Sequence, residues 1–262
     1  MGLIVRDRER FERTDVPEPS PRRNVIGAIV AVAALVATAV VVMLAWNRAS
    51  LESRMGDSAL EDALASQASS MSPSEGYVDT GNEVHSTLLL TSDSLEDGGS
   101  LSEARILSVN ATAGTATLVS VPTDLALTVD DQSTTLAELF SSQGYAACVT
   151  PLAGAAGIGF DNVILATGDV LEEAAQLAGS GTDNLVRSAS GLLSKIRTNM
   201  DATGLLSFAE TLSSIGVANL AASDAPLVAE TTTDEAGNVT ETGRQIIDRT
   251  QLGVVIGRFA AA

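Results

Sequence analysis

Residues 105–121 read RILSVNATAGTATLVSV, and they set the fold class on which the rest of the chain builds. Two β-rich runs, at 105–110 and 115–121, flank the four residues Ala-Thr-Ala-Gly. Such runs around a short connection that contains glycine predict an antiparallel hairpin. Pro122 and Asp124 end the second strand, because proline has no N–H group with which to extend a ladder.

Strand and helix signals alternate on both sides of this hairpin. An apolar strand is predicted at 87–91, before a loop at 93–99, and another strand at 163–167. Apolar spacing and capping residues predict helical segments at 145–156 (interrupted by Pro151), 169–178, 185–196, 204–215 and 244–259. A second hairpin is predicted at 231–241, around the sequence DEAGN. This alternation predicts an α/β fold with a mixed central sheet flanked by helices, preceded by one transmembrane helix.

The transmembrane helix is predicted at residues 25–46, VIGAIVAVAALVATAVVVMLAW, which carry no charge. At 1.5 Å per residue, a helix of this length spans roughly 33 Å, which is enough to cross the apolar core of a bilayer. Six arginines precede it, and only Arg48 and Arg54 follow closely. The positive-inside rule therefore predicts a single-pass plasma-membrane protein with a cytoplasmic N-terminus and an exported domain.

The chain is accordingly expected to have four parts: a disordered cytoplasmic arm at 1–24, the membrane helix at 25–46, a Ser-rich linker at 47–83 and the exported domain at 84–262. Apolar residues at helical spacing also predict a short helix within 51–64. From residue 47 onward there are nine Lys and Arg against twenty-eight Asp and Glu, a net charge of −19. Such an acidic surface repels nucleic acid, which is excluded as a partner.

The single cysteine and the single histidine argue against a disulfide, a zinc site and nucleophilic catalysis. Cys148 alone allows no intramolecular disulfide, and its apolar neighbours indicate a small buried side chain rather than a nucleophile. One cysteine and one histidine are too few for a zinc site. His85 stands at the start of a predicted strand, with no motif for Ser-His-Asp catalysis, so a solvated or capping role is expected.

Several short strings resemble the exported domain of the LytR-CpsA-Psr family. Residues 86–94, STLLLTSDS, are similar to the family's first strand and the loop after it. The pair 107–110, LSVN, and 117–124, TLVSVPTD, is similar to its hairpin. Residues 158–171, IGFDNVILATGDVL, have the spacing of its later strand and helix. The resemblance covers about 84–220 and implies a bacterial cell-envelope protein.

Family members that are enzymes transfer glycopolymer from a polyprenyl pyrophosphate carrier to the cell wall, with magnesium. The resemblance implies Asp93 and Asp124 as catalytic and metal-binding candidates. Arg105 and Arg187, which could supply charge from outside the matching positions, are the ligand-binding candidates. The same two aspartates have a simpler interpretation as loop acids that cap turns at strand ends.

The sequence departs from the family where its arginines are expected, since those positions hold Leu95 and Thr123. Between Arg105 and Arg187 there is no Lys or Arg. A lipid pyrophosphate carries at least two negative charges, and binding it requires arginine forks, a metal ion or a helix N-terminus. The losses indicate a catalytically degenerate domain.

Three functions follow from these patterns. The first is a binding or regulatory protein of cell-wall glycopolymer assembly, a pseudoenzyme with the membrane, polyprenyl-linked glycopolymer and other envelope proteins as its partners. The second is an active magnesium-dependent transferase that takes its cations from elsewhere, such as Arg105, Arg187, Lys195 and Arg197. The third is a structural or sensory envelope domain without a ligand.

Overall fold

The computed structural model describes residues 54–67, 72–168, 170, 195–233 and 237–262. The predicted cytoplasmic arm at 1–24 and the predicted membrane helix at 25–46 lie outside these residues, as do Arg187 and almost all of the predicted helix 169–178. Within the described ranges, no helix is both long and apolar enough to span a bilayer.

Six of the described strands form the central sheet, in the order β8-β7-β2-β3-β4-β9. They are β2 (Val84–Ser92), β3 (Leu101–Asn110), β4 (Thr115–Val121), β7 (Asn162–Thr167), β8 (Ile196–Thr198) and β9 (Leu220–Asp224). Strand β3 runs antiparallel to β2 and β4, whereas β7 is parallel to β2 and β9 is parallel to β4. The mixed sheet and the hairpin at 105–121 are confirmed.

Alternating side chains of the central strands reach two separate cores, because successive strand residues point to opposite faces. On one face, Leu88, Leu90 and Ile106 are at most 1% exposed and belong to the larger apolar cluster. On the other face, Leu107 and Leu118 pack in a second cluster beneath a long helix. The sheet is thus covered by helices on both faces.

The helices are α1 (Ser58–Ala65), α2 (Leu136–Gln143), α3 (Val149–Ala156), α4 (Ala202–Ile215) and α5 (Arg249–Val255). A capping box starts α2, where Thr135 accepts the Glu138 N–H and Glu138 accepts the Thr135 N–H. The helix predicted at 145–156 is divided into a short 3₁₀ turn and α3. Pro151 lies in the first turn of α3, where its missing N–H removes no helical bond, so it does not interrupt the helix.

Three two-stranded ribbons complete the fold. They are β1 (Tyr77–Asp79) with β12 (Phe259–Ala261), β5 (Ala126–Val129) with β6 (Gln132–Thr135), and β10 (Leu227–Thr233) with β11 (Val239–Ile247). The last of these confirms the hairpin predicted at 231–241 and extends it at both ends.

Two helix predictions were wrong at their ends. The helix expected over 244–259 exists only as α5, because residues 245–247 pair with β10 and the Asp248 side chain caps α5 at the Gln251 N–H. The helix expected over 185–196 does not include Ile196, which belongs to β8, and residues 185–194 lie outside the described part.

Part of the stretch predicted as a linker, 47–83, packs into the domain. Leu60 of α1 is fully buried in the larger core, and β1 pairs with the C-terminal strand β12. Residues 54–57, before α1, run along the edge of the central sheet at β8. There the Thr198 N–H donates to the Arg54 carbonyl at 2.9 Å, and the Asp57 N–H donates to the Thr198 carbonyl at 3.0 Å. The folded unit therefore begins at least as early as Arg54.

Candidate functional site

A cleft of about 440 Å³ lies at the edge of the sheet where β2 and β7 end. These strands are parallel, with Ser92 opposite Thr167, so the residues that follow them meet at one edge. The Thr167 N–H donates to the Lys195 carbonyl at 3.3 Å, which brings Lys195 to the same place. The cleft is lined by Arg54, Asp93, Ser94, Leu95, Glu96, Thr167 and Lys195.

Asp93 both lines this cleft and holds its own loop. Its Oδ1 accepts the Ser100 N–H at 2.7 Å and the Ser92 hydroxyl at 3.4 Å. These bonds within the loop agree with the interpretation of Asp93 as an acid that caps a turn. Its position in the cleft agrees with the interpretation as a ligand site as well. The catalytic and metal-binding roles of Asp93 stay predictions.

Asp124 lies at the same edge of the sheet but outside the cleft. It follows β4, which β3 separates from β2, so the two strands are roughly 10 Å apart. Its side chain is exposed. Among the residues that the structure describes, no three His, Cys, Asp or Glu side chains are placed to share a metal ion. Magnesium often binds through one or two carboxylates and completes its shell with water and phosphate, so its binding here also stays a prediction.

The two candidate ligand-binding arginines are not brought to the cleft by the described residues. Arg105 lies in the middle of β3, where its Nη1 is 2.7 Å from Glu103 Oε2. It shares a sheet face with Leu107, whose side chain packs towards α4. Arg187 lies outside the described part of the chain.

Neither position at which the family carries arginine supplies a charge. Leu95 is only 6% exposed and packs in the larger core, so this stretch of the loop is held by an apolar side chain. Thr123 is half-buried, and its carbonyl accepts the Ala137 N–H. The described cleft lining instead contains two acids, Asp93 and Glu96, and two bases, Arg54 and Lys195, whose formal charges cancel.

Beside the cleft, the structure reveals an ionic cluster whose connections the sequence did not indicate. Arg197 Nη1 donates to Asp57 Oδ2 at 2.7 Å and to the Tyr145 hydroxyl at 3.0 Å. The Tyr145 hydroxyl donates in turn to Asp57 Oδ2 at 2.9 Å. Arg197 Nη2 donates to Glu96 Oε2 at 2.9 Å, and the guanidinium carbon lies 5.1 Å from the centre of the Tyr145 ring. Arg197 is one of the cations proposed for an active transferase, but its Nη1 is bonded to Asp57 and Tyr145 and its Nη2 to Glu96.

The cluster favours its charged form. Burial raises the pKa of Asp57, but hydrogen bonds from Arg197, Tyr145 and the N–H groups of Leu60 and Ala59 outweigh burial and hold it below its usual range. Burial, together with the bond to Asp57, raises the pKa of Tyr145 to about 12. Burial lowers the pKa of Arg197. Its hydrogen bond to Asp57 and the charges of Tyr145, Glu96 and Asp57 raise the pKa by more, so it lies above its usual value. Near neutral pH, Tyr145 is therefore a neutral donor between opposite charges.

Cys148 and His85 take the places that their sequence contexts predict. Cys148 is fully buried, and burial raises the pKa of its thiol to about 12, so it is not an activated nucleophile. The His85 side chain is 54% exposed, with Nε2 3.2 Å from Glu83 Oε1 and Nδ1 3.6 Å from Asp161 Oδ2. It is a solvated residue at the start of β2.

A larger groove, of about 840 Å³, lies between α3, β5, the β10–β11 ribbon and the start of α5. Its lining is mixed: apolar side chains such as Leu127 and Ile247 alternate with charged ones, Glu230, Asp248 and Arg249. It does not include Asp93 or Asp124. The groove is therefore separate from the two acids that the family resemblance implies as site residues.

Comparison with known proteins gives matches in structure only. No family model matches the chain, and no curated protein sequence matches it. The Lin1025 protein from Listeria innocua has 17% identity and a TM-score of 0.47, covering 66% of this chain and 95% of that one. TagV from Bacillus subtilis has 11% identity and a TM-score of 0.45, covering 68% and 96%. TagT, in a structure described as bound to LI-WTA, has 12% identity and a TM-score of 0.44, covering 72% and 100%.

TagV and TagT are LytR-CpsA-Psr enzymes. The family that the sequence strings resemble is thus represented among the structures that resemble the chain.

Proposed function

We propose that this chain is a single-pass, membrane-anchored protein of the cell envelope, whose exported domain serves cell-wall glycopolymer assembly by binding rather than by group transfer. The uncharged stretch at 25–46 supports the anchor, and the resemblance of the 86–94 loop and the 105–121 hairpin supports the role in the envelope. Its partners are active transferases of the same family, and it regulates them.

The charge balance of the cleft carries the non-catalytic part of this proposal. Pyrophosphate is held by guanidinium forks or metal ions. The positive charge of these groups must exceed the negative charge of the acids around them if the site is to attract the anion. Here Asp93 and Glu96 offset Arg54 and Lys195 in the described lining, and Leu95 occupies an arginine position of the family. A lining whose described residues carry no net charge does not concentrate a doubly anionic head group.

The alternative is an active, magnesium-dependent transferase that moves glycopolymer from a polyprenyl pyrophosphate carrier to the cell wall. One observation favours it: two bases, Arg54 and Lys195, line the same cleft as Asp93. In that case Asp93 holds the magnesium ion, and the bases contact the phosphates.

A transfer assay separates the two functions. The full chain, purified in detergent, is given a polyprenyl pyrophosphate-linked glycan with and without magnesium, alone and together with an active family member. The proposal expects no transfer by the chain alone and a changed rate for the active enzyme. Magnesium-dependent transfer that is lost in Asp93→Ala and kept in Asp131→Ala, an exposed turn acid, would establish the transferase instead.

A further inference from the structure

The central sheet has two edge strands, β8 and β9, and only one of them is covered by the described chain. Along β8, the segment before α1 lies against the edge, with Met55 bridged to Thr198 in parallel. At the other end of the sheet, β9 pairs with β4. In the part of the chain that the structure describes, no strand lies along the outer side of β9.

The backbone of β9 directs polar groups away from the sheet. The Ala225 N–H, just after β9, donates to the Ser120 carbonyl of β4 at 2.8 Å. Successive residues of a strand direct their N–H and C=O groups to opposite sides, so those of Ala222 point away from β4. Such groups on an edge strand are a template on which a further strand can pair.

The sequence of β9 lacks the features that usually prevent pairing at an edge. Natural sheets protect an open edge with lysine or proline, with a bulge, or with a covering segment. Residues 220–223 read Leu-Ala-Ala-Ser and contain neither a charge nor a proline, and the pairing of β9 with β4 has no register shift. These small side chains leave room for a second strand beside the backbone.

The distribution of charge indicates which partner fits this edge. The chain has a net charge of −18, so two copies repel one another over most of their surfaces. Residues 211–223, from the end of α4 through most of β9, form a neutral strip without a single charged side chain. Its exposed members are Thr211, Ser213, Ser214, Ala218, Asn219 and Ala221. Two acidic copies can meet at this strip, because the cores of interfaces are depleted of charge, whereas a basic partner would favour the acidic surface elsewhere.

Two β9 strands can pair with each other in an antiparallel register. A twofold axis at Ala222 places this residue opposite itself and places Asp224 of one copy opposite Leu220 of the other, so like charges do not face one another. One surface then serves both copies, as in other twofold dimers. The edge at β8, where Arg54 lies, is five strand spacings or roughly 24 Å away, so the predicted membrane helices of the two copies do not collide.

We propose that two copies of this chain associate through β9, so that their six-stranded sheets join into one continuous sheet across a twofold axis at Ala222. This interface adds a partner that the proposed function does not include. It does not depend on whether the cleft binds or transfers glycopolymer.

Proline at two neighbouring positions of β9 tests the interface. Ala222→Pro removes an N–H that points to the second copy and leaves the bonds to β4 in place. Ser223→Pro removes an N–H that points to β4, as that of Ala225 does, so it should lower the midpoint of urea unfolding. Sedimentation of the full chain in detergent measures its mass. We expect the unaltered chain to dimerise, and Ala222→Pro to weaken the dimer roughly tenfold or more with a smaller effect on the urea midpoint.

A charge at the edge gives a second test that does not alter the backbone. Ala221 is exposed, so Ala221→Glu should fold, but in the dimer it adds two acids close to the twofold axis and should abolish association. Ala229→Glu, at an exposed alanine of β10, is the matched control and should leave the dimer intact. A monomeric unaltered chain, a dimer that persists in Ala221→Glu, or an equal loss in Ala229→Glu would overturn the inference.

Discussion

Arg197 and Asp57, which are 140 residues apart in sequence, form an ion pair of 2.7 Å between Nη1 and Oδ2. Their side chains are 13% and 7% exposed. Asp57 also starts α1 by accepting the N–H groups of Ala59 and Leu60, so one carboxylate both caps a helix and holds β8. The pair joins the segment nearest the predicted membrane helix to the edge of the central sheet.

Removal of the Asp57 carboxylate is expected to destabilise the domain more than the loss of a cap alone. Asp57→Ala leaves Arg197 largely buried without its closest counter-ion, which typically costs roughly 3 kcal/mol or more. Asp201→Ala is the matched control, because Asp201 caps α4 with its side chain but is exposed. Loss of this cap alone should lower the free energy of unfolding by about 1 kcal/mol. Urea unfolding of the full chain measures both. Equal losses would show that the ion pair adds nothing beyond the cap.

The lowered pKa of Asp57 gives the stability a defined dependence on pH. A carboxyl whose pKa is lower in the folded state contributes stability above its unfolded pKa of about 3.9, and loses it as the pH falls through the folded value. Unfolding midpoints measured from about pH 6 to about pH 3 should therefore fall more steeply for the unaltered chain than for Asp57→Asn. Parallel curves would contradict this expectation. Asparagine keeps the helix cap, so the difference isolates the charge.

Local signals predicted those parts of the fold whose partners are close in sequence. The 105–121 hairpin needed only two β-rich runs and a short turn, and the fully buried Leu88 lies in an apolar run that could only be a strand or a buried helix. The prediction of a helix over 244–259 was wrong at its start because the apolar residues there fit a strand as well as a helix. The pairing of residues 245–247 with β10 determines that they form a strand.

The candidate site was predictable only in part, for a similar physical reason. Asp93 follows a recognisable strand, so its place at the sheet edge followed from local sequence. The pairing of Arg197 with Asp57 depends on how α1 and β8 pack together, and neither residue carries a local sign of the other. Apolar spacing predicted a short helix within 51–64, but nothing in that stretch indicates that Asp57 pairs with an arginine of β8.

The burial of Leu60 predicts that the segment once expected to be linker supports the core. Leu60→Ala should cost about 3 kcal/mol of unfolding free energy, because Leu60 is fully buried in the larger cluster. Leu64→Ala, on the same helix but half-buried, should cost roughly 1 kcal/mol. Chemical denaturation of both variants provides the comparison. A loss for Leu60→Ala no greater than that for Leu64→Ala would mean that α1 does not pack on the domain in solution.

Two helical glycines should respond to alanine in opposite directions. In α5, a Cβ atom at Gly253 would lie 2.7 Å from Cε2 of Phe259, whose ring is 2% exposed. Such overpacking costs about 1 to 3 kcal/mol, which exceeds the gain in helix propensity. In α3, a Cβ atom at Gly154 meets nothing within 4 Å, so alanine there should stabilise the chain by up to about 1 kcal/mol.

Thermal and urea unfolding of Gly253→Ala and Gly154→Ala measure this difference directly. We expect the midpoint to fall for the first variant and to rise for the second, because only the first forces the Phe259 ring away from α5. Phe259 begins β12, which pairs with β1, so the effect of Gly253→Ala should extend to that ribbon and speed amide exchange at Tyr77–Asp79. A rise in both midpoints would show that the ring moves aside without cost and that the packing of β12 on α5 is loose.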